Sequence, residues 1–88
     1  MAESDENRRK RLLWRACHRG TREMDLVLGG FARAHLQALS PAELDEFERL
    51  IALEDPMLMG WVVGREPVPA RHDSPLVRRI LAFRPEIY

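Results

Sequence analysis

Arg19 and Glu23 flank Gly20 in the stretch CHRGTREMD, residues 17–25, and Asp25 follows two positions later. A guanidinium beside a glycine, with two carboxylates just beyond, suits recognition better than catalysis. Arginine offers a planar fork that matches carboxylate or carbonyl oxygens, and glycine lets another backbone come close. The plainer alternative is a helix corner. Glycine takes the left-handed position after one helix, Thr21 or Gly20 itself caps the next, and Glu23 and Asp25 sit where the helix dipole favours acids. Arg19 and Glu23 would then form a surface ion pair, worth at most about 1 kcal/mol.

The residues before the corner add to the first reading. At about 100° per residue, Arg11, Trp14, Arg15 and His18 share one helix face, while Leu12, Leu13, Ala16 and Cys17 lie on another. The second face is the natural core face, which leaves Trp14 at its border among cations. Tryptophan beside arginine has the composition of a binding hot spot; the alternative is a ring folded over the bundle edge. Cys17 and His18 are adjacent, so on a helix they diverge and cannot form a thiolate pair. Cys17 reads as a structural thiol. Cys17, His18, His35 and His72 show no paired metal-ligand spacing, and His35 falls on an apolar stripe.

The elements that must hold this corner are helical. SPAE at 40–43 combines an N-cap serine, proline at the first helical position and glutamate three residues after the cap. DPM at 55–57 and DSP at 73–75 repeat the cap-then-proline device. Apolar residues between these signals recur at three or four: Met24, Val27, Leu28 and Phe31; Leu44, Phe47, Leu50 and Ile51; Leu58, Trp61 and Val62; Leu76, Val77, Ile80 and Leu81. The reading is an all-α, compact five-helix bundle forming a single domain over 1–88, with an ordered core at about 6–83 and short flexible termini. Helices are expected near 6–18, 21–38, 41–53, 56–63 and 75–83, with Gly64 ending the fourth. The stretch 64–73, with Pro67 and Pro69, is an extended connector. Gly29 and Gly30 conflict with the second helix, where together they cost about 2 kcal/mol relative to alanines. They mark either a close helix crossing or a point where the rod bends or breaks.

Composition narrows the function classes. Lys plus Arg and Asp plus Glu number 14 each, and a dedicated nucleic-acid binder normally carries a basic excess. The run RRKRLLWR at 8–15 keeps one alternative open: a small helical nucleic-acid-binding or general interaction module using the basic first helix. A single cysteine excludes an internal disulfide and fits a reducing compartment. No run approaches the roughly 18 apolar residues of a membrane span, and the N-terminal stretch lacks secretory or transit character. A cytoplasmic protein without membrane insertion is expected. Nucleophile-elbow, P-loop and dinucleotide-binding glycine patterns are all missing, so an enzyme is not expected.

With these features in place, RGTREMD resembles the Arg-Gly-x-x-Glu motif of the succinate dehydrogenase assembly factors, the small flavinylation factors of bacteria and mitochondria. The likeness runs from residue 10 to 64 and includes LSPAELDEFERLI and the DP…W segment. It implies a five-helix assembly chaperone, not an enzyme. Such a chaperone binds the flavoprotein subunit of succinate dehydrogenase, and in bacteria that of fumarate reductase, and promotes covalent attachment of FAD to a histidine of that client. The FAD belongs to the client, so no cofactor of its own and no nucleic-acid partner is implied. The motif maps onto Arg19, Gly20 and Glu23 as client-binding residues, with Asp25 beside them; Arg11 and Trp14 match less regular positions upstream. Met57, Met59 and Gly60 depart from the family pattern. A monomer is expected.

Overall fold

The computed structural model describes residues 3–83, and every regular element among them is helical. Helix α1 (Asp5–Cys17) starts where the Asn7 N–H donates to Ser4 Oγ at 3.1 Å, with Asp5 and Glu6 in the first turn. Gly20, at φ 100°, turns the chain in the left-handed region that other residues enter only with strain. Thr21 then caps α2, accepting the Met24 N–H at 3.4 Å.

Helix α2 is one rod in three consecutive pieces: an α-turn Arg22–Met24, a π-turn Asp25–Gly29 and an α-helix Gly30–His35. A 3-10 turn, Leu36–Ala38, closes it. The regular α-helix expected over 21–38 is therefore corrected in its hydrogen-bond pattern, although the rod does not break. The reason lies at Gly29. A Cβ placed there would be 3.0 Å from Cys17 Sγ, 3.1 Å from Cys17 Cα and 3.4 Å from the Ala16 carbonyl. The α1 and α2 backbones meet at this point, and the widened π-turn falls on the crossing. Close crossing is thus the reason for Gly29.

Helix α3 (Pro41–Ile51) opens on the expected capping box. The Glu43 N–H donates to Ser40 Oγ at 3.1 Å, and the Ser40 N–H returns to Glu43 Oε1 at 2.9 Å. Helix α4 (Asp55–Val62) corrects one expectation, because its N-cap is Glu54, which makes no side-chain cap bond. Asp55 is the first helical residue, and its carboxylate is engaged elsewhere. Gly64 ends α4 at φ 77°. The connector contains a short 3-10 turn, Ala70–His72, before Ser74 caps α5 (Pro75–Ala82) by accepting the Val77 N–H at 3.1 Å. Of the termini expected to be flexible, residues 1–2 and 84–88 lie outside the described residues.

The inner stripes close over one core. Leu12 and Ala16 of α1 meet Met24, Leu28, Phe31 and Ala32 of α2; Leu44, Phe47, Leu50 and Ile51 of α3; Leu58 and Trp61 of α4; and Leu76, Val77 and Ile80 of α5. Phe31 is its aromatic centre, 6.3 Å from Phe47 and edge-on to Phe83 at 5.9 Å between ring centroids. His35 sits half-buried at the edge of this cluster, 4.9 Å from Phe31. Among the described residues, no helix is long and apolar enough to cross a membrane.

Candidate functional site

The corner between α1 and α2 is built from inside. The Arg19 side chain is only 10 % exposed. Its Nε and Nη2 donate to Asp55 Oδ1 at 2.9 and 2.7 Å, Nη2 also reaches the Leu53 carbonyl at 2.9 Å, and Nη1 donates to the Ile51 carbonyl. A helix leaves its last carbonyls without intrahelical donors. Arg19 supplies donors to that end of α3 and, through Asp55, grips the first turn of α4. Its own backbone N–H donates across Gly20 to Asp25 Oδ1 at 2.5 Å. One residue thus ties the α1–α2 corner to the α3–α4 junction.

This corrects the expectation that the Arg19 fork and the Asp25 carboxylate point outward. Both turn inward: convergent carbonyls and a carboxylate match the planar Arg19 guanidinium better than scattered water does, and the Asp25 carboxylate accepts the Arg19 backbone N–H. The plainer alternative, an Arg19–Glu23 surface pair, is also replaced, since the acid that Arg19 meets is Asp55. The corner presents Gly20, Thr21, Arg22 and Glu23 to the exterior, all four exposed. A Cβ added at Gly20 would have nothing within 4 Å, so the bare backbone at the apex stands clear. Beside it Thr21, Asp55, Pro56 and Met59 line an apolar hollow of about 200 Å³.

Upstream, Trp14 is 62 % exposed and lies flat on His18, with ring centroids 4.2 Å apart and planes 15° from parallel. His18 Nδ1 is 2.7 Å from the Trp14 carbonyl, so Nδ1 carries the proton and donates. Of the two readings for Trp14, the exposed one is realised. Cys17, half-buried, forms with Lys10, Leu13, Trp14, His18 and Arg33 a shallow groove of about 360 Å³.

Three other cations of α1, Arg8, Arg9 and Arg11, are held by partners within the chain. Arg8 donates to Asp45 at 2.7 Å and to Glu48 at 3.2 and 3.0 Å. Arg9 bonds Asp5 at 2.8 Å and the Leu36 and Leu39 carbonyls at 2.6 and 3.1 Å. Arg11 bonds Glu3 at 2.9 and 2.8 Å and Glu48 at 3.1 Å. Hydrogen bonds from Arg11 and then Arg8 hold the Glu48 carboxyl below the usual carboxylate range, and Glu3 followed by Glu48 raises the Arg11 guanidinium. The basic run that suggested nucleic acid is therefore largely a clamp between α1 and the rest of the bundle. Arg11 does not join Trp14 in a shared cationic patch.

The structure thus brings Arg19, Gly20 and Asp25 into one unit, keeps Glu23 and Trp14 outward and gives Arg11 to a separate clamp. Asp55 and Arg33 were missed in the sequence. Asp55 precedes a proline, which disguised it as a helix cap, and it lies 36 positions from its partner. Arg33 carried no signal, because its place beside Trp14 depends on how α1 and α2 cross. Among the described residues, no three His, Cys, Asp or Glu side chains converge as a metal site.

Comparison with known proteins finds matches over most of the chain. A family model described as flavinator of succinate dehydrogenase matches residues 10–84. The FAD assembly factor SdhE of Acetobacter pasteurianus is 40% identical over 74 residues, which cover 84% of this chain and 68% of that protein. That of Haemophilus ducreyi is 35% identical over 77 residues, 88% of this chain and 93% of the relative. A mitochondrial succinate dehydrogenase assembly factor 2, from Mycosarcoma maydis, is 43% identical over 70 residues, 80% of this chain but only 29% of that longer protein.

Proposed function

The chain belongs to the succinate dehydrogenase flavinator family, and from that premise we propose that it is an assembly chaperone. It binds the flavoprotein subunit of succinate dehydrogenase, and that of fumarate reductase where present, and promotes covalent attachment of FAD to the client. The names of the relatives, FAD assembly factor and succinate dehydrogenase assembly factor, support the process. The observation that carries the docking mode is the bare, outward Gly20 apex braced from within.

Contact is assigned to Gly20 and Glu23, with Trp14 on the face upstream. Arg19 and Asp25 are positioning residues, which hold the apex at a fixed angle to α3 and α4, and Arg11 steadies α1 through Glu48. The chaperone is not an enzyme and keeps no cofactor; the FAD is the client's. It works as a cytoplasmic monomer.

The mechanism is selective binding. A binder shifts its client only by the difference in its affinity for two client states. A corner that grips the state in which FAD and the acceptor histidine are aligned raises that state's population by about tenfold for each 1.4 kcal/mol of difference. Alignment of reacting groups can remove several kcal/mol of barrier, on the order of what positioning achieves elsewhere. The client then completes the bond with its own groups.

The test is in-gel flavin fluorescence of the denatured flavoprotein subunit from cells with and without this chain. Covalent flavin should fall sharply without it and return on complementation. Gly20→Leu should remain folded, because its side chain enters open space, at a cost of about 1–2 kcal/mol for the left-handed backbone. It should nevertheless fail to complement or to co-purify with the client. Normal covalent flavin in the deletion strain would remove the proposed role.

A further inference from the structure

We infer that the groove along Trp14 is a second docking surface for the same client, and that it takes an acidic segment whose aromatic or aliphatic side chain lies on the indole. The inference rests on the client reading above and supplies what that reading lacks, the chemistry of the partner segment.

Three features of the groove lead there. The first is its floor. Trp14 is 62 % exposed yet held flat by His18 at 4.2 Å, with half-buried Leu13 and Cys17 beside it. A rigid aromatic plate of this kind loses little entropy on contact, the property of an interface anchor.

The second is charge. The lining includes Lys10, His18 and Arg33 and no acid. Arg8, Arg9, Arg11, Arg19, Arg78 and Arg79 all meet carboxylates within the chain. Arg33 makes no ion pair among the described residues, and Lys10 shares only an exposed contact with Glu6 at 3.2 Å. Arg15, Arg22, Arg49, Arg65 and Arg71 likewise make no ion pair among the described residues, so what sets Arg33 apart is its place with Lys10 beside an exposed indole in a lining that holds no acid, an arrangement complementary to carboxylates from outside.

The third is continuity. His18, which lies against Trp14, is two positions before Gly20, so the groove ends close in the chain to the apex and one partner can engage both. The groove's size, about 360 Å³, suits two or three side chains. A nucleic-acid strand would need a longer cationic track, and Arg8, Arg9 and Arg11 are already committed.

The experiment is calorimetric titration of the purified, non-flavinylated flavoprotein subunit with the wild-type chain and with Trp14→Ala, Arg33→Glu, Arg49→Glu and Gly20→Leu. Circular dichroism checks the fold of each variant. Arg49 is exposed on α3, away from the groove, and makes the same charge change a control. Trp14→Ala and Arg33→Glu should each weaken binding tenfold or more. Arg49→Glu should stay within twofold, and Arg33→Glu should flatten the salt dependence.

Wild-type affinity in both groove variants, with loss only in Gly20→Leu, overturns the groove and leaves the chaperone reading intact. Equal weakening by Arg33→Glu and Arg49→Glu also overturns it, because general electrostatics then suffices. No binding by the wild-type chain removes both readings. Saturable binding of a 20-nucleotide RNA that depends on Trp14 would replace the acidic segment with a polyanion.

Discussion

Replacing Arg19 by alanine tests whether the corner is braced from within. The substitution removes the donors to the Ile51 and Leu53 carbonyls and to the Asp55 carboxylate together. A hydrogen bond to a charged group contributes about 1.5–3 kcal/mol, but these share one guanidinium and do not add. Removing one partner from a buried pair typically costs about 3–5 kcal/mol. Here the two side chains are 10 % and 18 % exposed, so water can relieve part of the orphaned charge, which places the loss near the lower end, at about 3 kcal/mol. For a domain of this size that lowers Tm by roughly 12–24 °C, a large share of a total stability on the order of 5–15 kcal/mol. Urea unfolding followed by far-UV circular dichroism measures it. Arg19→Lys should restore less than half, because an ammonium cannot span acceptors set out for a planar fork. A double-mutant cycle with Asp55→Ala should give a coupling of at least about 1 kcal/mol. A loss below about 1 kcal/mol for Arg19→Ala, or a lysine variant as stable as wild type, would refute the brace.

Two further outcomes follow from the packing. Gly29→Ala puts a methyl 3.0 Å from Cys17 Sγ and 3.1 Å from Cys17 Cα. Overpacking of about 1–3 kcal/mol should outweigh the helix-propensity gain of about 1 kcal/mol. Removing the sulfur with Cys17→Ala should recover only part of the loss, because the backbone contact remains; denaturant midpoints of the three variants decide this. The second outcome concerns acid. Glu48 is held below the usual carboxylate range by Arg11 and then Arg8. A folded-state value below the unfolded one stabilises above the ordinary glutamate range and is lost as pH falls through and beneath that range. The wild-type urea midpoint should therefore drop more steeply between about pH 5 and pH 3 than that of Glu48→Gln, and parallel curves would contradict the clamp.

Ser40 and Glu43, Gly20 and Gly64 were legible in the sequence because caps and left-handed turns depend on a few adjacent residues. The stripe Leu44, Phe47, Leu50 and Ile51 was legible because helical period alone assigns its face. Asp55 was misread as a cap for the same local reason, since Asp before Pro is an ordinary helix start. Its real partner lies on another helix. Trp14 was placed correctly at the edge of the core face, but nothing in the sequence could put Arg33 across from it.

Local chemistry therefore determined the helices, their ends, the outward glycine apex and the family motif. Each of these depends on residues within a turn or two of one another, where spacing translates directly into geometry. Tertiary structure alone decided the partners of Arg8 and Arg19 and the place of Arg33. Whether a guanidinium meets solvent or a partner depends on which carbonyls and carboxylates converge on it from distant segments. At Arg19 the end of α3 and the start of α4 converge, and at Arg33 no carboxylate does among the described residues.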